Sequence, residues 1–162
     1  MMDVDFYEKE VAGKGRGVFA KKFIPKGTRI WKLTNAERYT KEEFEKLPEE
    51  IKKDAYPEGK YYIRALGEGE SWNHSCDPNT WWTADDELSA LRDIYSNEEI
   101  TYDYATTDID PNITYKWECK CGARNCRGKL RWNDILTPEV YEKYKGHLPS
   151  WVEDFVKKQN RF

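Results

Sequence analysis

The chain has 162 residues, enough for one domain that buries a core without disulfide support. Only 38% of it is hydrophobic, but seven Trp, eleven Tyr and six Phe bury large areas, so the core it can form is aromatic. The net charge of −3 hides a segregation along the chain whose acidic middle argues against nucleic acid as the main partner, and no apolar run reaches the roughly 20 residues that cross a bilayer.

Taken in chain order, residues 6–23 carry Gly13, Gly15 and Gly17 between short alternating stretches, the pattern of a glycine-rich hairpin. A turn at Gly27 then leads into a strand over 28–33. Thr40 and Glu43 form a capping box, with Phe44, Leu47 and Ile51 on one face, which predicts a helix over 41–54 broken or restarted at Pro48. Short strands are expected over 61–66, 80–83, 88–93 and 100–104, separated by Gly67-Glu68-Gly69, Asp85-Asp86 and Ser96-Asn97. Pro138 at the first turn after Thr137 predicts one C-terminal helix. Ser150 is placed to cap a second, with Val152, Phe155 and Val156 at helical spacing. The fold class is therefore mainly β with short helices, built as several small sheets, and no internal repeat is evident.

Charge is segregated along the chain. From Glu68 to Asp110 there are twelve acidic residues and one base, Arg92, whereas Lys116, Lys120, Arg124, Arg127, Lys129 and Arg131 face only Glu118. The acidic stretch suits a basic peptide or protein partner, although a solvated acidic face has the same composition.

All four cysteines fall in two clusters: Cys76 within Asn73-His74-Ser75-Cys76-Asp77-Pro78-Asn79, and Cys119, Cys121 and Cys126 in a C-x-C-x4-C segment. Three thiolates leave a tetrahedral zinc one ligand short, and Cys76 is the remaining sulfur. Disulfides are the competing reading. No secretory leader opens the chain, and a Cys119–Cys121 bridge would strain the disulfide torsion, so one structural Zn2+ is favoured. The same considerations point to an intracellular protein without separating nucleus from cytoplasm.

Four blocks together resemble the SET-domain protein lysine methyltransferases that carry a post-SET zinc segment. They are Lys14-Gly15-Arg16-Gly17-Val18-Phe19, the Asn73-to-Asn79 block, Glu99-Ile100-Thr101-Tyr102-Asp103-Tyr104, and Cys119-Lys120-Cys121-Gly122 running to Cys126-Arg127-Gly128, in family order. The resemblance implies a SET fold over 1–112 with a helical insert near 40–58, a post-SET zinc segment over 113–131 and a helical flank over 132–162. It also implies a knot-like core in which S-adenosylmethionine and the target lysine approach from opposite faces of a narrow channel. Cofactor contacts carry over to Lys14, Gly15, Arg16, Gly17, Asn73, His74 and Tyr104, with Trp117 and Lys120 covering the adenine. Tyr104 matches the catalytic tyrosine. Tyr102 matches a position where tyrosine is associated with stopping after one methyl.

The activity implied is transfer of a methyl group from S-adenosylmethionine to a lysine amine of a histone or another basic protein. A SET module that binds peptide or cofactor without transfer is the rival reading, and a zinc-stabilised docking module is another. The chain departs from the family in two places. Ile30-Trp31-Lys32-Leu33-Thr34 stands where many members have a Tyr-x-Gly-Glu stretch, so Trp31 is the candidate replacement in the channel, and Glu70-Ser71-Trp72 replaces an Arg-Phe pair.

Overall fold

Short alternating segments broken by turn residues cannot build one large sheet, and the chain instead makes three small ones. The computed structural model describes residues 1–52, 55–66 and 72–159. Its elements are β1 (Phe6–Val11), β2 (Gly15–Ala20), β3 (Arg29–Lys32), β4 (Ala36–Thr40), α1 (Lys41–Glu45), α2 (Glu49–Lys52), β5 (Tyr56–Glu58), β6 (Tyr61–Ala65), β7 (Asn73–His74), β8 (Thr80–Ala84), β9 (Glu87–Ala90), β10 (Glu99–Tyr102), α3 (Pro138–Tyr144) and α4 (Ser150–Lys158), with single 3-10 turns at Tyr104–Thr106 and Asp134–Leu136. The sheets have the orders β1-β2-β10-β7, β3-β9-β8 and β4-β6-β5.

The centre of the body is built twice. Residues 20–30 and 90–100 follow the same path and exchange equivalent backbone bonds: Ile24 N–H donates to Ile94 O and Ile94 N–H to Ile24 O, both at 2.9 Å. Likewise Gly27 N–H donates to Ala90 O and Asn97 N–H to Ala20 O, both at 2.8 Å. Gly27 (φ 82°) and Asn97 (φ 67°) turn the chain at matching points, the two residue types that tolerate a left-handed backbone best. Ile24, Ile30, Ile94 and Ile100 from the two arms are buried together with Val18, Trp31, Trp82 and Leu88. The repeat escapes the sequence because the arms share little beyond alanine and isoleucine at these positions.

Helix and strand boundaries differ from expectation around the insert. The Thr40–Glu43 capping box is present, with Glu43 N–H donating to Thr40 Oγ1 at 3.3 Å and Thr40 N–H to Glu43 Oε2 at 2.8 Å. Such a cap contributes about 1 kcal/mol. The break expected at Pro48 is present: the first helix ends at Glu45 and a second restarts at Glu49. Within the stretch read as a helical insert near 40–58, β5 occupies 56–58 and pairs with β6. β4 was not anticipated, since the charges of Glu37 and Arg38 hide its alternation; it pairs with β6 over its full length. Phe44 of α1 stacks on Tyr62 of β6 at 3.8 Å between centroids, which fixes the helix on this sheet. The expected end of the helix at Asp54, the 67–69 turn, and Glu70 and Ser71 of the family departure lie outside the described residues. The strand expected over 100–104 stops at Tyr102, and Tyr104 begins a 3-10 turn.

The C-terminal flank forms a second core of Ala105, Ile135, Leu136, Val140, Tyr141, Tyr144, Val152 and Val156. Thr137 sits at the start of α3 as expected, yet its hydroxyl donates to Asp134 O at 2.8 Å and makes no cap bond. Ser150 is not the cap of α4 but its first residue; Pro149 precedes it, and the carboxylate of Asp85 accepts from Ser150 N–H at 2.6 Å. A body residue thus caps the flank helix and ties it to the β8–β9 turn. Lys143 Nζ reaches Cys76 O at 2.9 Å, and His147 stacks on Trp81 at 3.3 Å, so the flank also presses on the segment around Cys76.

Candidate functional site

The site begins where β7 lies parallel to β10, with Asn73 beside Thr101 and His74 beside Tyr102. Two residues suffice for this strand because each end is pinned by side chains. Asn73 Nδ2 donates to Arg16 O at 3.2 Å and to Glu99 Oε1 at 2.7 Å. Gly17 leaves the room: a Cβ there would come within 2.5 Å of Glu99 Oε1 and 2.7 Å of Asn73 Nδ2. Lys14 Nζ sits 3.4 Å from Glu99 Oε2, closing the base of the β1–β2 turn against the same carboxylate.

His74 is buried and neutral. Its Nδ1 accepts from Tyr104 N–H at 3.3 Å, which leaves the proton on Nε2, 3.2 Å from Cys76 Sγ. Burial lowers its pKa to about 4, outweighing the pull of Asp103 toward the charged form. Tyr104 is anchored from both ends, by that backbone bond and by its hydroxyl, which donates to Trp72 O at 2.7 Å. Burial, with the charges of Asp108 and Glu99, pushes the Tyr104 phenol up to about 12, so it stays protonated near neutral pH.

Aromatic rings extend from Tyr104 in two directions. On one side Tyr102 lies 5.1 Å away, followed by Trp82 at 6.2 Å and Trp31 at a further 6.4 Å, with Trp72 edge-on to Trp31 at 6.5 Å. On the other, Tyr115 lies 6.2 Å from Tyr104 and Trp117 5.4 Å beyond it. Trp31 is itself 4% exposed and packed in the main core.

The four cysteines come together as a single cluster with all sulfurs within 4.8 Å of one another, Cys76 and Cys119 at 3.9 Å. A zinc about 2.3 Å from each of four thiolates requires sulfurs about 3.8 Å apart, so the donor set fits that ion. None of the four is bridged to another. Arg127 N–H points at Cys76 Sγ (3.4 Å) and Cys76 N–H at Cys121 Sγ (3.5 Å), donors that suit thiolates. Burial pushes the Cys76 thiol up to about 11 and raises that of Cys119 further. Cys121 is lowered to about 7, because backbone N–H groups of Cys76 and Ala123 outweigh its burial. Several buried thiolates at once require a cation among them.

Against this cluster lies a cleft of about 450 Å³ lined by Ala12, Gly13, Lys14, Asn73, His74, Tyr104, Tyr115, Trp117, Glu118, Cys119, Lys120 and Cys121. Of the residues singled out in the sequence, Lys14, Asn73, His74, Tyr104, Trp117 and Lys120 face it together. Gly15, Arg16 and Gly17 stand behind the wall: Arg16 offers its carbonyl to Asn73 while its guanidinium reaches Glu8 at 3.3 Å. Tyr102 packs against the main core beside Tyr104.

Three participants went unremarked in the sequence. Tyr115 bridges Tyr104 and Trp117 and hydrogen-bonds Asp108; its place two residues before Trp117 was the available signal. Asp103 and Arg127 form a buried fork, Nη1 to Oδ2 at 2.8 Å and Nη2 to Oδ1 at 2.5 Å. In the sequence both stand inside motif blocks and charged segments, with no role of their own assigned.

The SET-domain family model matches residues 15–105, more than half of the chain. A histone-lysine N-methyltransferase of Schizosaccharomyces pombe, specific for H3 lysine-37, is 34% identical over 105 residues, covering 59% of this chain and 70% of that protein. The Xenopus laevis histone-lysine N-methyltransferase SETD1B is 43% identical over 67 residues, 36% of this chain but 3% of that much longer protein. The crystal structure of a candidate histone methyltransferase of Plasmodium falciparum superposes with a TM-score of 0.46 at 21% identity, covering 64% of this chain and 95% of that one. A likeness that loose leaves the assignment to the family match and to the motif residues gathered at the cleft. By that match, and by a relative spanned over most of its own length, the chain belongs to the SET-domain family.

Proposed function

We propose that this protein transfers one methyl group from S-adenosylmethionine to the side-chain amine of a lysine in a basic protein, a histone tail or another lysine-rich substrate. The observation that carries the reading is the single cleft in which Lys14, Asn73, His74, Trp117 and Lys120 surround the anchored phenol of Tyr104. The family match and the histone-lysine methyltransferase relatives support the same class of reaction.

The chain at Lys14 and the side chains of Asn73 and His74 would hold S-adenosylmethionine, with Gly15 and Arg16 supporting that turn from behind and Trp117 and Lys120 over the adenine. When bound, it supplies an electrophilic sulfonium methyl. The remaining work is alignment and desolvation. A lysine whose amine reaches the rings of Tyr102 and Tyr104 would leave water for aromatic surfaces, which lowers its pKa and favours the nucleophilic amine, with Trp82 and Trp31 backing those rings from the core. Tyr104 is too weak an acid to serve as a base at neutral pH. With its hydroxyl donated to Trp72 O, it instead presents oxygen lone pairs and a fixed ring face to the transferring group. Tyr102, directly beside it, fills the space a more methylated amine would need, which supports monomethylation. The four-cysteine zinc would be structural: it holds 115–131 over the body so that Trp117 and Lys120 reach the cleft.

Incubating the protein with S-adenosylmethionine and histones, and separately with cell extract, followed by mass spectrometry, tests the reading. Monomethyl-lysine on a basic protein is the expected product. Cofactor binding without any methylated lysine would favour a SET module without transfer, and di- or trimethyl-lysine would remove the role given to Tyr102.

A further inference from the structure

Asp103 stands between the two tyrosines of the site, its carboxylate wholly buried and 3.6 Å from Nδ1 of the cleft residue His74. It holds groups from three parts of the chain. Arg127, the residue after Cys126, binds it through both terminal nitrogens at 2.8 and 2.5 Å. Tyr144 of α3 donates its hydroxyl at 3.1 Å, and Ala105 its backbone N–H at 3.0 Å. Arg127 Nε lies 3.0 Å from Asp134 Oδ2, an ion pair without hydrogen-bond geometry, so the guanidinium sits between two carboxylates and is held by one. A planar fork held this way fixes orientation as well as distance.

The other side of Asp103 is the turn that carries Tyr104. Asp103 O accepts from Thr106 N–H at 2.9 Å and Thr106 Oγ1 at 2.7 Å, and Trp82 Nε1 donates to Thr106 Oγ1 at 3.0 Å. Tyr104 therefore cannot swing without moving Asp103, and Asp103 cannot move without disturbing Arg127 and the cysteine segment.

We infer that Asp103 is a positioning residue for methyl transfer: with Arg127 it latches the cysteine segment to the turn that carries Tyr104, so that lid docking and alignment of the phenol are one event. The inference rests on the proposed transferase reading for its effect on turnover, but the latch itself is measurable without activity. Asp103→Asn, Arg127→Gln and the double variant are compared by bound zinc, melting temperature, amide exchange, affinity for S-adenosylhomocysteine and turnover. Each single variant is expected to keep its zinc, lose amide protection over both 115–131 and 104–106, and lose turnover by about 10- to 100-fold, the usual cost of removing an outer partner of a site. The double variant is expected to lose no more turnover than either single, since both remove one contact. It should melt above Arg127→Gln, because residue 103 no longer carries a buried unpaired charge, although Asp134 still loses its partner.

Turnover that rises and falls with melting temperature across the set would make the pair a stability element only and overturn the inference. So would multiplying losses in the double variant, or full protection of 104–106 when Arg127 is changed. If Asp103→Asn does not fold, Arg127→Lys, which keeps the charge and loses the fork, is expected to show a smaller loss of the same kind. Wild-type protein that methylates nothing would count against the transferase reading alone, while the exchange data would still decide the latch.

Discussion

The β body and the cysteine lid of this chain are held by different physics. The body buries ten residues in one cluster, all aliphatic or tryptophan, six of them contributed by two arms that cross-link each other. The lid cluster buries only Cys76, Cys119 and Leu130, with the other two cysteines half-exposed at its edge. Apolar burial at about 25 cal/mol per Å² can hold the first; the second is too small for that, and its four gathered sulfurs are able to hold a metal ion instead. With zinc as that ion, the body is expected to fold by itself and the far wall of the cleft, Tyr115 to Cys121, to dock only when the metal is bound.

The largest effect separates the two regions directly. Cys119→Ser, or removal of zinc by a chelator, is expected to abolish the metal and weaken cofactor binding by more than about 100-fold. The body's cooperative melt and its β-type circular dichroism should survive. Loss of the entire fold on chelation would mean that the body is not independent.

Next comes Tyr104→Phe, which leaves both regions standing and removes the group between them. Turnover is expected to fall by about 100- to 1000-fold, as for other preorganised hydrogen-bonding groups. Stability should change by about 1 kcal/mol, one hydrogen bond to Trp72 O. Calorimetry should find S-adenosylhomocysteine still bound. Because the phenol pKa is raised to about 12, Tyr104 carries its proton throughout pH 6–9. The residual activity of the variant is thus expected to follow the same pH profile as the wild type. A wild-type rise with pH that vanishes in the variant would instead make Tyr104 a base.

The smallest effects test the twofold construction of the body. Gly27→Ala places a Cβ on a backbone at φ 82° and should cost about 1–2 kcal/mol by denaturant unfolding, with lid and zinc untouched. Gly27→Asn should cost less, since Asn97 already takes the matching conformation in the other arm. Equal costs would show that the two turns are not equivalent.

What could be read from the sequence, and what could not, follows the same division. Metal chemistry demands particular residue types at fixed spacings, so Cys76, Cys119, Cys121 and Cys126 stood out as one set in the sequence, whereas Asn73, His74 and Tyr104 stood out only through the resemblance of their motif blocks. Short strands flanked by turn residues were visible too, except β4 under its charges, β5 inside the stretch read as a helical insert, and β7, which is too brief to show a period. Burial of charge was not legible. Asp103 sits in an acidic stretch that reads as surface, yet it is 1% exposed, and nothing local marks Arg127 as its partner. The acidic stretch is therefore partly interior wiring, which leaves fewer carboxylates to steer a basic substrate than composition suggests.

Titration of S-adenosylhomocysteine into the protein before and after zinc removal, with metal content measured on both samples, tests the central claim most directly. The zinc-thiolate lid predicts one zinc per chain and one-to-one binding that disappears on removal and returns when zinc is restored. Binding of equal strength in metal-free protein, or native protein that contains no metal, would contradict it.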